Sequence, residues 1–255
     1  MNFYNPNKSE SLIDAILLSS NKETTPPPIH AHERGELVLP ITGSMKCEVD
    51  DGIWMVPAES AVWIPAGLPH TTTAVSKTTF CLVFVDSMRF ELPDKCCTIS
   101  ISPLLKEIIL HLTTLSVDEL ASTQATILMD VLLEMLPKMP REHLDFPLPM
   151  DHGLRNIADL LLYNPSDRRT VKQWAGFLSM SERTFSRLVV KETGMTFGLW
   201  RRQLHIVISL QLLTAGQSVQ LVSEHLGYDS VSAFITMFKK SLGKSPRRYI
   251  KDTLT

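Results

Sequence analysis

Hydrophobic positions in the first hundred residues follow the two-residue alternation of β-strands. Five short segments are apolar or alternating, and turn residues such as Gly43, Asp51-Gly52 and Pro65-Ala66-Gly67 separate them. The predicted strands are 36–41, 45–49, 53–56, 61–64 and 79–85. Short strands at regular spacing are typical of an antiparallel barrel or sandwich. We therefore predict an antiparallel β-barrel with flanking helices, the barrel itself lying in residues 1–100.

After residue 100 the apolar spacing changes to that of helices. Apolar side chains recur on one helical face in two stretches. They are Leu104, Leu105, Ile108, Ile109 and Leu112, and then Ile127, Leu128, Val131, Leu132 and Met135. These amphipathic helices need an apolar surface, which is either their own barrel or a second subunit. We favour the second subunit, because such strips are a common self-association face, and predict a dimerisation segment at 101–136 and a homodimer.

A proline-rich stretch then separates this part from the rest of the chain. Residues 137–150 contain four prolines, which disfavour a continuous helix, and we predict a linker there. Residues 151–255 form a separate, all-α domain in this interpretation. The predicted fold class is therefore α+β and multidomain.

The C-terminal region contains one plan twice: helix, tight turn, helix. The first turn is Ser179-Met180-Ser181, and the second begins at Gly227. Ser181 and Ser230 stand where the second helix of each copy begins, and we expect their hydroxyls to cap free backbone N–H groups. A helix over about residues 196–215 joins the copies. We predict two helix-turn-helix units.

The charge distribution indicates what these units bind. Residues 1–150 hold 10 basic and 19 acidic side chains, whereas residues 151–255 hold 15 basic and 8 acidic ones. A basic region fits double-stranded DNA, because Lys and Arg release counterions from phosphates. The second helix of each unit is expected in the major groove. The predicted DNA-binding residues are Ser181, Arg183, Thr184, Ser186, Arg187, Arg201, Arg202, Ser230, Ser232, Thr236, Lys239, Lys240 and Arg247.

The two units differ in their outward side chains. In the first, Arg183 and Arg187 are suited to bidentate contacts with guanine. In the second, the outward residues are weaker base readers. We expect direct base reading mainly from the first unit, and phosphate contact and shape sensing mainly from the second.

The end of the chain carries a fixed motif, G-(F/Y)-x-S-x-x-x-F-x-x-x-F-(K/R)-x-x-x-G-x-(S/T)-P-x-x-(F/Y). It is met by Gly227, Tyr228, Ser230, Phe234, Phe238, Lys239, Gly243, Ser245, Pro246 and Tyr249. Through this motif, residues 155–251 resemble the DNA-binding domain of the AraC/XylS family of bacterial transcription regulators. The resemblance implies two recognition helices in successive major grooves, in an activator or repressor coupled to a sensor, with RNA polymerase as a further partner.

The N-terminal half holds a cluster of candidate metal ligands. On a strand, His30 and His32 project to one face, and Glu36 lies a further even step along; His70 follows after a gap. Imidazole and carboxylate groups suit divalent zinc, nickel, iron or manganese. We predict a metal site of these four residues. The alternative is a polar pocket of hydrogen-bonded histidines without metal.

The spacing of these residues resembles the motifs of the cupin barrel. The pattern H-x-H-x3-E-x6-G ends here at Gly43, and P-x-G-x2-H is met by Pro65, Gly67 and His70. The resemblance implies a cupin-like sensor barrel. Its mouth is the expected place for a ligand pocket. The aromatic candidates for its lining are Trp54, Trp63 and Phe84.

Composition restricts the cellular setting. The chain has 44% hydrophobic and 20% charged residues, no apolar run of about 18 residues and four cysteines without a CxxC pair. We expect a cytoplasmic, non-enzymatic regulator that binds specific DNA sequences and whose cupin domain senses a small molecule or a metal ion. The alternatives are a cupin metalloenzyme with a DNA-binding appendage, and a constitutive repressor whose barrel is purely structural.

Overall fold

The computed structural model describes residues 6–8, 11–21, 26–58, 60–75, 77–86 and 92–254. The chain divides into two compact units, each formed from separate stretches. The first comprises residues 1–49, 56–143 and 253–255, and the second comprises residues 50–55 and 144–252.

The strands of the described part are short and antiparallel. They are β1 Ile13–Ser20, β2 Gly35–Thr42, β3 Ser44–Val49, β4 Gly52–Pro57, β5 Ser60–Ile64, β6 His70–Ala74, β7 Thr78–Val85, β8 Cys97–Ser100, β9 Arg141–Glu142 and β10 Asp145–Pro147. All five predicted strands are present, as β2 to β5 and β7. The strands β1, β6 and β8 were not predicted.

In the first unit, six strands form one sheet in the order β1-β7-β2-β5-β8-β9. Strands β3 and β6 form a further antiparallel ladder, in which Val49 is opposite His70. The antiparallel architecture is therefore confirmed, but the six-stranded sheet does not close into a barrel within the described residues. Its edges are β1 and the two-residue β9, and so short a strand cannot hold a closing ladder.

Three helices of the first unit, α1 Pro103–Leu112, α2 Val117–Leu120 and α3 Thr123–Met135, follow β8. The side chains of α1 and α3 share one core with those of the six-stranded sheet, including Trp63 and Leu37. Of the two predicted apolar strips, only Leu104 and Ile127 are largely exposed, at 55% and 56%. The alternative that these helices cover their own sheet thus accounts for most of the two strips, and the pairing with a second subunit stays a prediction.

The predicted linker region contains regular structure. Strand β9 pairs with β8 in the first unit, and β10 pairs with β4 in the second, where Phe146 is opposite Ile53. Both are edge strands, and an edge strand tolerates proline because one side of it needs no backbone donors. The prolines of residues 137–150 are thus compatible with short strands.

The second unit is otherwise helical. Its helices are α4 His152–Tyr163, α5 Val171–Phe177, α6 Glu182–Thr193, α7 Phe197–Thr214, α8 Val219–His225 and α9 Val231–Leu242, together with α10 Pro246–Leu254 as far as residue 252. The fully buried Trp200 of α7 stacks on Phe146, with ring centroids 5.2 Å apart, and its indole N–H donates to the Pro147 carbonyl at 2.8 Å. Strand β10 is thereby fixed to the long helix between the two predicted helix-turn-helix units.

Candidate functional site

The first helix-turn-helix unit consists of α5, α6 and the turn between them. The Ser181 hydroxyl accepts a hydrogen bond from the Thr184 N–H at 3.1 Å, which confirms the predicted cap of α6. Within the turn, Ser179 has a φ of 55°, in the left-handed region. Because this position is a serine and not a glycine, the sequence does not indicate the left-handed conformation.

Helix α6 has one buried face and one exposed face. Phe185 and Val189 are fully buried against the rest of the unit. The predicted base readers Arg183, Ser186 and Arg187 are exposed. Their exposure leaves the guanidinium groups accessible to a DNA groove.

The second unit repeats this arrangement in α8 and α9. The Ser230 hydroxyl caps α9 by accepting from the Ala233 N–H at 3.2 Å, again as predicted. Phe234 and Phe238 of the family motif are fully buried, so these two aromatic residues are packing residues. The predicted contact residues of α9 are on its exposed side. They are Ser232, Thr236, Lys239 and Lys240.

A groove runs along the exposed side of α9. It has a volume of about 450 Å³ and is formed together with the guanidinium-bearing Arg202 of α7. Its lining residues are Arg202, Ser232, Ala233, Thr236, Met237 and Lys240. Four of these were predicted as DNA contacts. Ala233 and Met237 were missed, because apolar residues in a helix pattern read as core.

The two neighbouring arginines of α7 differ in their surroundings. Arg201 is half-buried, lies 5.6 Å from the centre of the Phe197 ring and donates to the Arg169 carbonyl at 3.4 Å. Arg202 is exposed and lines the groove. Arg202 is thus the better placed of the two for a phosphate. Arg247, at the start of α10, is also exposed.

The candidate metal centre lies in the first unit. One ring nitrogen from each of His30, His32 and His70 lies within 4.8 Å of the others. His30 and His70 form an isolated backbone bridge, with N–H to carbonyl distances of 3.0 and 2.9 Å. We expected His30 and His32 on a regular strand, but neither residue is on one. They converge because this bridge brings their segment to β6. The structure therefore brings together the histidines that the sequence analysis grouped.

Each of these histidines is oriented by a backbone carbonyl. Nδ1 of His30 is 3.0 Å from the Pro28 oxygen, Nδ1 of His32 is 2.6 Å from the Arg34 oxygen, and Nδ1 of His70 is 2.8 Å from the Leu68 oxygen. A carbonyl only accepts, so each Nδ1 carries the proton. In a neutral ring, Nε2 then has a free lone pair, as in metal-binding histidines oriented by a carbonyl.

Glu36 completes the cluster from β2. Its Oε2 lies 3.1 Å from Nε2 of His32 and 2.9 Å from Nε2 of His70. Burial raises the pKa of Glu36, but the hydrogen bonds and positive charge of the two histidines outweigh it and lower the pKa to about 2. Burial lowers the pKa of His70, and the contact with Glu36 more than reverses this, so that its pKa is raised.

This geometry fits a cation. An ionised carboxylate and two neutral Nε2 atoms are all acceptors, so contacts of about 3 Å need a positive charge between them, either a proton or a metal ion. Three imidazoles and one carboxylate are ligands that divalent transition metals accept. The donor set is therefore suitable for such an ion.

Arg34 is a buried residue behind this centre that sequence reasoning missed. Its guanidinium donates to the Asp14 carboxylate and to the carbonyls of Leu12 at 2.9 Å and Phe84 at 3.2 Å. These contacts fix the segment after His32 to β1 and β7. The residue carries no motif, so only its burial reveals its role.

The three aromatic residues predicted to line a pocket occupy different positions. Phe84 meets the His32 ring edge to face, with centroids 5.2 Å apart. Trp63 is fully buried, and its indole N–H donates to the Pro93 carbonyl at 2.8 Å. Trp54 belongs to the second unit. Phe84 is thus the one of the three that contacts the histidine cluster within the described residues.

None of the helices formed by the described residues is long and apolar enough to span a membrane.

Comparisons with known proteins place the DNA-binding features in context. A family model described as a helix-turn-helix domain matches residues 174–252. The chain is 38% identical over 250 residues to the HTH-type transcriptional regulator NimR of Escherichia coli (strain K12), which covers 98% of this chain and 92% of NimR.

More distant similarities cover less of the chain or are weaker. The HTH-type transcriptional regulator RipA of Corynebacterium glutamicum is 28% identical over 103 residues, which are 40% of this chain and 31% of RipA. The structure of ToxT from Vibrio cholerae strain SCE256, bound to an unsaturated fatty acid, covers 97% of both chains at 14% identity with a TM-score of 0.40.

Proposed function

Because this chain belongs to the AraC/XylS family of transcriptional regulators, we propose that it controls transcription in response to a divalent transition metal bound by His30, His32, Glu36 and His70. The DNA-binding function itself follows from the helix-turn-helix domain and from the full-length similarity to a regulator. The protein is a regulator and not an enzyme. The proposal concerns the signal to which it responds.

One observation carries this proposal. Three imidazoles whose Nδ1 atoms are each held by a carbonyl converge on one another, and two of them, His32 and His70, contact the buried Glu36 carboxylate. With neutral rings and no metal ion, Glu36 would face only acceptors in a buried place, which is unfavourable, so the pocket needs either a metal ion or a proton on one Nε2 atom. When bound, the ion supplies the positive charge that the carboxylate and the Nε2 lone pairs need.

The position of His30 explains how binding can be sensed. His30 is exposed and connected to β6 by its bridge with His70, whereas Glu36 and His70 are buried in strands. Coordination by all four residues would hold the segment around His30 against β2 and β6. A bound metal ion shifts a conformational equilibrium only if its affinities for the two states differ. Coordination by His30 in one state and not in the other provides such a difference.

Other parts of the functional prediction remain predictions. They are the homodimer, the contact with RNA polymerase and the choice between activation and repression. The apolar strips of α1 and α3 no longer support dimerisation, because they are packed in their own unit. A small organic effector, or a purely structural N-terminal region, is the alternative to metal sensing.

The test is the metal content of the full-length, untagged protein, measured by elemental analysis after purification without chelator. We expect about one equivalent in the wild type and strong loss in His30→Ala and His70→Ala. His30 is exposed, so its variant leaves the core intact. The control is His111→Ala, which removes an exposed histidine of α1 in the same unit and should retain the metal.

DNA affinity is then titrated with and without the metal. We expect the affinity of the wild type and of His111→Ala to depend on the metal, and that of His30→Ala not to. Absence of metal from the wild type, even after addition of zinc, nickel, iron or manganese, would refute the proposal. Bound metal without any effect on DNA affinity would make the site structural and would equally contradict metal sensing.

A further inference from the structure

The exposed side of α9 has an unusual chemistry for a DNA-reading surface. The helix contributes Ser232, Ala233, Thr236, Met237 and Lys240 to the groove described above. Two of these side chains, Ala233 and Met237, are apolar, although they line an open groove. The amide and guanidinium groups that make bidentate contacts with bases are absent from this set, in which Lys240 is the one charged side chain.

The Thr236 hydroxyl adds little hydrogen-bonding capacity to this surface. The Thr236 hydroxyl donates to the carbonyl of Ser232 at 2.8 Å, so that its proton is used within the helix. Its γ-methyl group is apolar. The Met237 sulfur accepts from the Ser241 hydroxyl at 3.8 Å, which holds the side chain along the helix. Ala233, Thr236 and Met237 therefore offer mainly methyl and thioether groups to the groove.

Positive charge lies beside these apolar groups. Arg202 and Lys240 line the same groove, and the neighbouring Lys239 is exposed. Lys and Arg contacts to phosphates position a protein on the duplex without reading its sequence. The groove thus combines an apolar strip with basic side chains that can contact the phosphates of a DNA duplex.

From this arrangement we infer that α9 reads the C5-methyl groups of thymines through Ala233, Thr236 and Met237. In the major groove, the thymine methyl is the apolar mark that distinguishes A·T pairs, and apolar side chains recognise it. Arg202 and Lys240 hold the helix to the phosphates. The target site would then combine a half read by the arginines of α6 with a thymine-containing half read by α9. This inference rests on DNA binding alone and is independent of metal sensing.

The test begins with selection of preferred duplexes from a random pool by the full-length protein. Each thymine of a selected duplex is then replaced, one at a time, by deoxyuridine, which removes only the C5-methyl group. We expect one or two thymines at which the wild-type affinity falls by about three- to five-fold, the factor that corresponds to one buried methyl group. Selected sites without a fixed thymine, or equal binding of thymine and deoxyuridine at every position, would overturn the inference.

Variants assign the effect to α9. Met237→Gln keeps the length and helix propensity of the side chain but makes it polar, and it should abolish discrimination at one of the thymines. Lys240→Gln is the matched control. It should weaken binding to the thymine and deoxyuridine duplexes equally and reduce the salt slope by about 1. Unchanged discrimination in both Met237→Gln and Ala233→Ser, with melting temperatures like that of the wild type, would place the methyl contact elsewhere and refute the inference.

Discussion

The turn of the second helix-turn-helix unit provides a sharp test of the structure. Gly227 has a φ of +74°, and a Cβ at this position would lie 2.8 Å from Cβ of Ser166 and 3.2 Å from its carbonyl oxygen. The turn cannot easily move away, because Arg168 donates both to the Gly227 carbonyl and to the Asp229 carboxylate. Gly227→Ala therefore combines backbone strain with a steric clash.

Gly243 is a matched control for this substitution. Its φ is +73°, almost the same as that of Gly227, but nothing lies within 4 Å of an added Cβ. The left-handed backbone costs an alanine about 1 to 2 kcal/mol at either position. Overpacking against Ser166 adds about 1 to 3 kcal/mol at Gly227 alone. We expect Gly243→Ala to lower the free energy of unfolding by about 1 to 2 kcal/mol, and Gly227→Ala by about 2 to 5 kcal/mol.

The assay is urea unfolding of the full-length chain, followed by tryptophan fluorescence. Of the four tryptophans, Trp54, Trp174 and Trp200 belong to the second unit, so the signal reports mainly on this unit. Removal of the Ser166 side chain, in Gly227→Ala/Ser166→Gly, should recover part of the loss. Equal losses in Gly227→Ala and Gly243→Ala would refute the role of Ser166, and no loss in either would refute the left-handed backbone.

Two further predictions concern the same unit. Burial, with the positive charge of Arg201 as a smaller cause, lowers the pKa of His205 to about 4, although its contact with the Pro165 carbonyl at 3.1 Å acts in the opposite direction. In the unfolded chain this histidine binds its proton near pH 6.5. The free energy of unfolding therefore has its full contribution from the neutral His205 above that pH and loses about 3 kcal/mol of it as the pH drops to 4. Urea unfolding at several pH values should show a weaker pH dependence in His205→Gln, and identical slopes would contradict this pKa. Ser179→Gly should raise the free energy of unfolding by up to about 1 kcal/mol in the same urea titration, because the left-handed turn then holds no Cβ; a decrease would show that the Ser179 side chain stabilises the turn.

The strands of the first unit were predictable where their side chains alternate. Strand β6 was missed because its sequence HTTTA is polar, although most of its residues are buried. Strand β1 was missed because its central residues AILL are uniformly apolar, a pattern that does not separate a strand from a helix. In both cases the position in the sheet, and not the local pattern, determines which residues are covered.

Some of the functional residues were also predictable from the local sequence pattern, and others were not. The spacing of His30, His32, Glu36 and His70 was sufficient to group them. The carbonyls that orient the histidines come from irregular segments, which no periodicity describes. Met237 was also unpredictable as a groove residue, since its apolar side chain at helical spacing indicates core. Only the packing of α7 beside α9 shows that it faces a groove.

The second unit is formed from two separate stretches of the chain, and this has a consequence for its synthesis and for the exchange of domains. Ile53 and Trp54 are the partners of Phe146 and Asp145 in the β4–β10 ladder. A fragment that begins at residue 144 lacks these partners and exposes the apolar edge on which Trp200 rests. On the ribosome, the edge of β4 that pairs with β10 stays without this partner until the later stretch has emerged. An exchange of only the C-terminal stretch between two regulators would likewise pair β10 with a foreign β4, so a functional chimera has to carry residues 50–55 together with residues 144–252.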